Sequence, residues 1–304
     1  MTISQTGATA VLVDRNGISG KAYVVGYDHD GDDATADLGS WTVGGGDLED
    51  LTIADLSSSR PQSLVIGLGP NAPGLVTITD MGTTLRMTND GKDDTASGLV
   101  IGRDGGEGRL ELTGMTAFEI LDSSTAVVGA EHGFDDREFL RVGNGVGSSG
   151  DIQATTATLT IEGNAVAIDI GSDGGAGTVT FIGGSQFRAI AHDTASSAQL
   201  SFAMGTSGGN GTMTFSNYAL GVLQADDVRL IVGQDAGKGL LVLDSSSRVT
   251  VQGGAAGANA TIGSGAGAIA SLSIANASEF TLQGSGVAGL DVGRAGSAGT
   301  FELS

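Results

Sequence analysis

Short alternating runs of apolar residues recur along the chain, and each run ends in a glycine. The common form is two apolar residues separated by one position and followed at once by Gly, which we call the anchor glycine. Alternation with a period of two predicts a β-strand with one buried face. The eight copies are Leu64-x-Ile66-Gly67, Leu99-x-Ile101-Gly102, Leu140-x-Val142-Gly143, Ile168-x-Ile170-Gly171, Phe202-x-Met204-Gly205, Leu230-x-Val232-Gly233, Ala260-x-Ile262-Gly263 and Leu290-x-Val292-Gly293.

A Gly-rich turn and a second alternating pair follow the anchor glycines. The turns are variants of GRDGGEG and GSDGGAG, built from residues that tolerate a left-handed backbone. A third segment places Phe118, Phe187, Val249 and Phe280 ten residues beyond the end of the turn. Each unit of about 30 residues therefore predicts three short strands joined by turns. The second pairs are Val76/Ile78, Leu110/Leu112, Leu159/Ile161, Val179/Phe181, Met213/Phe215, Leu241/Leu243, Leu272/Ile274 and Phe301/Leu303.

One such unit cannot bury its own apolar face, but stacked units can. We therefore predict an all-β fold: a single parallel β-helix, or β-solenoid, in which each strand pairs with its equivalent in the next coil. Connections between parallel strands are strongly right-handed, which predicts a right-handed coil. Stacking at about 4.8 Å would place Phe118, Phe187, Val249 and Phe280 in one internal column.

The repeat divides the chain into two regions. Residues 64–304 hold the eight copies, and the last copy is truncated because the sequence stops at Ser304 in the middle of a unit. Residues 1–63 lack the Gly-rich turn and contain the single Trp, which predicts an N-terminal cap with degenerate first coils. An uncapped last coil is a sheet edge that can pair with another chain. We therefore expect either more protein beyond Ser304 or end-to-end association.

Composition excludes several classes of protein. Gly makes up 53 of 304 residues, but it does not recur at every third position and Pro is rare, which excludes collagen. The absence of Cys excludes a disulfide scaffold. A net charge of −21 disfavours nucleic acid as a partner, because phosphates repel an acidic chain. The chain contains no apolar stretch of about 18 residues, so the sequence predicts no membrane-spanning helix. No Sec signal peptide is visible at the start.

The repeats resemble the Gly-rich repeats of autotransporter passengers and of PEP-CTERM-associated bacterial surface proteins. Copies in that family look like VG..G.GTLTVSGG followed by L.IG, and GSDGGAGTVTFIGG, GTSGGNGTMTF and GRDGGEGRLELTG are similar to them. The resemblance covers about residues 64–304. It implies a β-helical segment exposed at a bacterial surface, and it brings no catalytic residues with it.

Three carboxylates share one place in the turn. Asp104, Asp173 and Asp235 each lie two residues after an anchor glycine, on alternate coils. A line of acids on one edge could serve an enzyme or a row of calcium ions. Asp is also a preferred turn residue, because its side chain can bond to nearby backbone. We favour the structural interpretation.

The densest carboxylate cluster lies in the segment DHDGDD. Asp28, Asp30 and Asp32 are spaced so that several oxygens could reach one hard cation, as calcium requires. The order of an EF-hand is absent, because Gly31 comes too early and no Glu follows at the twelfth position. Calcium bound by Asp28, Asp30 and Asp32 is one interpretation, and a solvated acidic loop is the other. The segment NDGKDD (89–94) is a weaker second candidate.

Other motifs predict neither catalysis nor a required cofactor. His29, His132 and His192 are scattered without the spacing of metal ligands. The Gly-rich loops recur in most units with no helix behind them, which argues against phosphate binding.

These observations favour a non-enzymatic structural or adhesive β-solenoid of a bacterial surface protein, located outside the cell. It would act as a stalk or adhesin segment, or as the subunit of a surface fibre. Expected partners are a second copy joined end to end, or a surface glycan or host cell surface. The alternative is a polysaccharide-active enzyme of the lyase or epimerase type, because other β-helices host such enzymes. A third hypothesis, binding of ice or glycans by a flat face, requires regular Thr rows, and the sequence offers only one local cluster, ATTATLTIEG (154–163).

Overall fold

The computed structural model confirms an all-β fold. It describes residues 2–5, 21–27, 39–43, 51–54, 62–70, 73–79, 81–89, 97–122, 138–192 and 198–304, and this part of the chain contains strands and turns but no helix. Its parallel strands stack as a β-solenoid with about 31 residues in each coil. The predicted fold class is therefore confirmed.

Each complete coil contributes a strand to each of three faces. The first face contains β2 (Lys21–Tyr27), β5 (Gln62–Leu68), β8 (Ser97–Arg103), β11 (Glu138–Asn144), β14 (Ala165–Ser172), β17 (Gln199–Thr206) and β24 (Ala288–Arg294). The second face contains β1 (Thr2–Gln5), β3 (Gly39–Val43), β6 (Gly74–Ile78), β9 (Glu107–Thr113), β12 (Ser149–Thr155), β15 (Ala176–Ile182), β18 (Asn210–Ser216), β20 (Lys238–Leu243), β22 (Ile269–Ile274) and β25 (Ala298–Leu303). The third face contains β4 (Leu51–Ala54), β7 (Thr84–Asn89), β10 (Ala117–Asp122), β13 (Thr158–Gly163), β16 (Gln186–Ala191) and β23 (Glu279–Gly284).

Two long strands join the third face to the first. β19 (Leu220–Gln234) and β21 (Arg248–Ser264) begin on the third face and end on the first, without a break at the corner. Gly221 of β19 pairs with Phe187 on the third face, and Val228 pairs with Leu200 on the first. The first and third faces therefore form one continuous sheet, whereas the second face is a separate sheet of ten strands.

The register of the strands builds the internal columns that the repeat predicted. Phe118, Phe187, Val249 and Phe280 do share one column, and Leu85, Leu159 and Gly221 also belong to it. Gly221 keeps the ten-residue step from its turn glycine, Gly211, but has no apolar side chain to reveal it, and Leu159 lies nine rather than ten residues beyond Gly150.

One assignment from the sequence is wrong. Leu159 and Ile161 were expected to form the second pair of their unit, but β13 places them on the third face, beside Phe118 and Ile120 of β10. The second pair of that coil is Ile152 and Ala154 of β12. The polar neighbours of Ile152 and the small side chain of Ala154 hid this strand from a search for paired large apolar residues.

The interior is filled by inward side chains from all three faces. In β9 and β15, buried and exposed residues alternate along the strand, as expected for a sheet with one face in the core. Four buried Phe rings meet near the middle of the solenoid. The ring centroids of Phe181 and Phe215 are 5.2 Å apart, those of Phe181 and Phe187 are 5.4 Å apart, and those of Phe187 and Phe202 are 6.1 Å apart. This interior is a packed core rather than a channel.

The anchor glycine is required where the first face turns into the second. Gly171 has φ +65°, and a Cβ at this position would overlap the carbonyl oxygen of Asn210 in the next coil. Six residues later, a Cβ at Gly177 would overlap the carbonyl oxygen of Val142 in the preceding coil. The backbone therefore passes so close to its neighbours at this corner that no side chain fits, which explains the repeated glycine pattern.

A buried hydroxyl closes the corner between the second and third faces. The Ser185 hydroxyl is fully buried; it accepts a hydrogen bond from the backbone N–H of Ala157 at 3.1 Å and donates to the carbonyl of Ile182 at 2.6 Å. Ala219 and Ser247 occupy the same place in the next two coils.

Differences in coil length are concentrated at the corner between the third face and the first. From Leu159 on the third face to the next anchor glycine, Gly171, the chain advances 12 residues, whereas from Phe118 to Gly143 it advances 25. The other two corners keep nearly the same length in each coil of the repeat region.

Candidate functional site

The turn carboxylates lie where the sequence placed them. Asp104, Asp173 and Asp235 occupy the same turn position on alternate coils and have φ of 52°, 52° and 47°. Asp is one of the few residues with a side chain that tolerate this left-handed conformation. The Nε of Arg103 lies 3.1 Å from Asp104 Oδ2, and Asn144 Nδ2 donates to Asp173 Oδ2 at 3.4 Å.

The alternation of these acids has a steric cause in at least one pair of coils. Asp235 is followed in the next coil by Gly265, and a Cβ at Gly265 would overlap Asp235 Oδ1. The carboxylate therefore lies over the space that the glycine leaves free. Among the described residues, no group of three acidic, His or Cys side chains is arranged to hold a metal ion. The geometry at these turns supports the structural interpretation.

The predicted calcium ligands cannot be placed. Asp28, Asp30 and Asp32 lie outside the described residues, as do His29, His132 and residues 90–94 of the second acidic segment. Calcium binding at Asp28, Asp30 and Asp32 stays a prediction. His192 is described; its Nδ1 lies 3.8 Å from Glu162 Oε1, and the side chain is about half exposed.

Two partly buried carboxylates have altered acidity that the sequence did not indicate. Burial raises the pKa of Asp151, although Arg109, whose Nε lies 3.5 Å from the carboxylate, opposes this rise. Burial likewise raises the pKa of Asp169 against the opposing effect of Arg141 at 3.8 Å. Asp151 projects from the second face and Asp169 from the first. The two carboxylates therefore do not face one common substrate surface.

Ion pairs on the third face join neighbouring coils. Arg86 and Glu119 lie 2.7 Å apart on adjacent strands, and Arg248 and Glu279 lie 2.7 Å apart further along the solenoid. Exposed pairs of this kind contribute little to stability, because solvent screens them. Each pair joins two adjacent coils, and the two pairs do not come together to form a binding or catalytic site.

Outward residues of the second face form rows that were missed in the sequence. Thr178 of β15 pairs with Thr212 of β18, and Thr180 pairs with Thr214. The rows continue through two aliphatic residues of β20 and two serines of β22. We call the outward residues of these four strands the hydroxyl face; its two central rows are Thr178, Thr212, Leu240 and Ser271, and Thr180, Thr214, Val242 and Ser273.

The local Thr cluster recognised in the sequence is not a row. Thr155 projects from the second face, Thr156 occupies a turn with φ 54°, and Thr160 belongs to the third face. The rows of the hydroxyl face instead join residues about 30 positions apart, such as Thr180 and Thr214. The signal that could have found them is the residue between the two apolar positions of each second pair.

The two halves of the second face differ in charge. On β9 and β12, the outward residues equivalent to the two central rows are Arg109 and Glu111, and Asp151 and Gln153. The central rows of the hydroxyl face contain no charged residue, although the chain has a net charge of −21. The two central rows of the hydroxyl face are therefore uncharged on a strongly acidic protein, with Lys238 of β20 and Asp151 of β12 as charged neighbours at their border.

Apolar side chains are also exposed at the last coil. The exposed fractions are 41% for Leu290, 44% for Val292, 40% for Phe301 and 66% for Leu303, although their equivalents in earlier coils are buried.

None of the described segments is a helix able to cross a bilayer. Comparison with protein-family models, with curated proteins and with solved structures finds no match to this chain.

Proposed function

We propose that this chain is a non-enzymatic structural module of a bacterial surface protein, acting outside the cell as a rigid spacer or adhesin segment. The observation that carries the proposal is the continuous register of the second face, in which ten strands pair in parallel from β1 to β25. Hydrogen bonds between these strands run along the solenoid axis, so each coil supports the next. Such a ladder resists extension and bending.

The dimensions suit a spacer. Ten strand layers at about 4.8 Å give a rod roughly 50 Å long. The net charge of −21 would keep such rods apart in solution. The likeness of the repeats to those of bacterial surface proteins supports an extracellular location.

End-to-end association would extend the spacer into a fibre. Parallel strands of one copy would pair with those of the next, because a sheet edge offers unpaired backbone N–H and C=O groups. This assembly remains part of the proposal, together with calcium at Asp28, Asp30 and Asp32.

A polysaccharide-active enzyme is the second candidate. The observation in its favour is that burial raises the pKa of both Asp151 and Asp169, as in many acid–base catalysts. Their placement on different faces weighs against a shared site, because acid and base must flank one bond.

Negative-stain microscopy of the purified chain, with calcium and with chelator, tests the proposal. Single rods of roughly 50 Å under both conditions are expected for a spacer, and filaments would support the fibre-forming version. Filaments that dissolve in chelator would make Asp28, Asp30 and Asp32 the first residues to replace. Globular particles, or depolymerisation of an acidic polysaccharide by the purified chain, would contradict the structural role.

A further inference from the structure

The hydroxyl face combines regular spacing with rigidity. Neighbouring coils are about 4.8 Å apart and alternate residues along a strand about 6.6 Å apart, so Thr178, Thr180, Thr212 and Thr214 mark the corners of one cell of a regular grid. Both strands are paired on each side, which fixes their backbones. Thr is β-branched and has few χ1 rotamers, so its hydroxyl and methyl are restricted to a few positions.

The side chains of the grid are suited to contact with ordered water. Charged groups orient water around themselves and break any extended pattern; the central rows contain none from β15 to β22, and charged side chains stand only at their border, at Asp151, Lys238 and Glu302. Each Thr presents a hydroxyl that can bond to water beside a methyl that cannot. Holding a water molecule in place at a protein surface costs entropy. On the surface of ice this ordering is already present, so a fixed array of hydroxyls meets water in fixed positions.

We propose that the hydroxyl face binds ice. This activity goes beyond a spacer function and does not depend on it. The structure favours ice over a soluble sugar, because sugars and other small ligands bind in clefts with convergent polar groups, whereas Thr180 and Thr214 project from the open side of a sheet. Leu240 and Val242 continue the grid with methyl groups only, which limits the hydroxyls to the strands on either side of β20.

Uptake of protein into slowly growing ice measures this binding directly. The wild-type chain should be enriched in the ice fraction relative to serum albumin, which ice excludes. Thr214→Lys places a charge in the centre of the grid and should abolish the enrichment. Thr250→Lys is the matched control, because Thr250 is a half-buried outward Thr of the third face, between Val222 and Thr281. It should leave the enrichment unchanged.

Thermal melts establish that the Lys variants are folded. Thr214→Val, which keeps the shape and removes only the hydroxyl, replaces Thr214→Lys if that variant fails to fold, and a reduced enrichment is then expected. Exclusion of the wild-type chain from ice would overturn the proposal, as would equal loss in the folded Thr214→Lys and Thr250→Lys variants. Binding to crystalline cellulose but not to ice, lost in Thr214→Lys, would also overturn it and identify a polysaccharide surface as the ligand.

Discussion

Replacement of Phe181 by Ala tests whether the solenoid is stabilised coil by coil. The ring is fully buried and contacts Phe215 of the next coil and Phe187 of its own coil, at centroid distances of 5.2 and 5.4 Å. Phe→Ala in a core costs about 3–5 kcal/mol, and each aromatic pair contributes about 0.5–1.5 kcal/mol beyond burial. Because Phe181 loses two ring contacts inside a packed core, we expect a loss of about 4 kcal/mol.

Hydrogen exchange should show where this free energy is lost. A solenoid coil contacts mainly its neighbours, so exchange should accelerate by about three orders of magnitude in the coils that contain Phe181 and Phe215. Residues near Val292, four coils further along, should keep their protection. Thr180→Ala on the same strand is the control and should change stability by less than about 0.5 kcal/mol, because it faces outward. A loss of less than about 1 kcal/mol for Phe181→Ala, or equal acceleration throughout the chain, would refute this account.

Three further substitutions test the corners and the buried charge. Gly171→Ala should be much more destabilising in urea unfolding than Gly184→Ala. Both glycines have a positive φ, which costs a side chain about 1–2 kcal/mol, but nothing lies within 4 Å of a Cβ at Gly184. Equal losses would contradict the argument that the backbone of the next coil excludes a Cβ at Gly171. Ser185→Ala leaves a buried N–H without its partner and should cost about 1–3 kcal/mol by the same measurement; an unchanged midpoint would show that the hydroxyl is dispensable. Burial raises the pKa of Asp169 above 3.8, so folding is weakened as the pH rises through and above that value. Asp169→Asn should therefore match or exceed the wild type in stability at pH 7, and a lower stability would mean that the pair with Arg141 outweighs burial.

Much of the fold could be predicted because its repeat is enforced by steric exclusion. The position of Gly171 in the sequence reports a corner where no Cβ fits, and the same corner recurs in each coil of the repeat. The strand with Ile152 and Ala154 was missed because one small residue removed half of its apolar signal. Burial of Ala154 depends on the larger side chains around it, and the sequence of one strand does not contain that information.

The candidate surface could not be predicted for a different reason. Thr180 and Thr214 become neighbours only through the register between coils, which depends on the number of residues at every intervening corner. The altered acidity of Asp169 likewise depends on atoms from adjacent strands that exclude water. Local sequence reports the direction in which a residue points, whereas a surface requires the alignment of several coils.

The variable corner between the third and first faces gives this protein a route for acquiring new parts. The step from Phe118 to Gly143 exceeds that from Leu159 to Gly171 by about a dozen residues, yet β10 and β13 stay in register, as do β11 and β14. The entropic cost of closing a loop grows only slowly with its length. Peptides inserted at this corner, by evolution or by design, would therefore be displayed along one edge of the rod while the ladders beneath them remain intact.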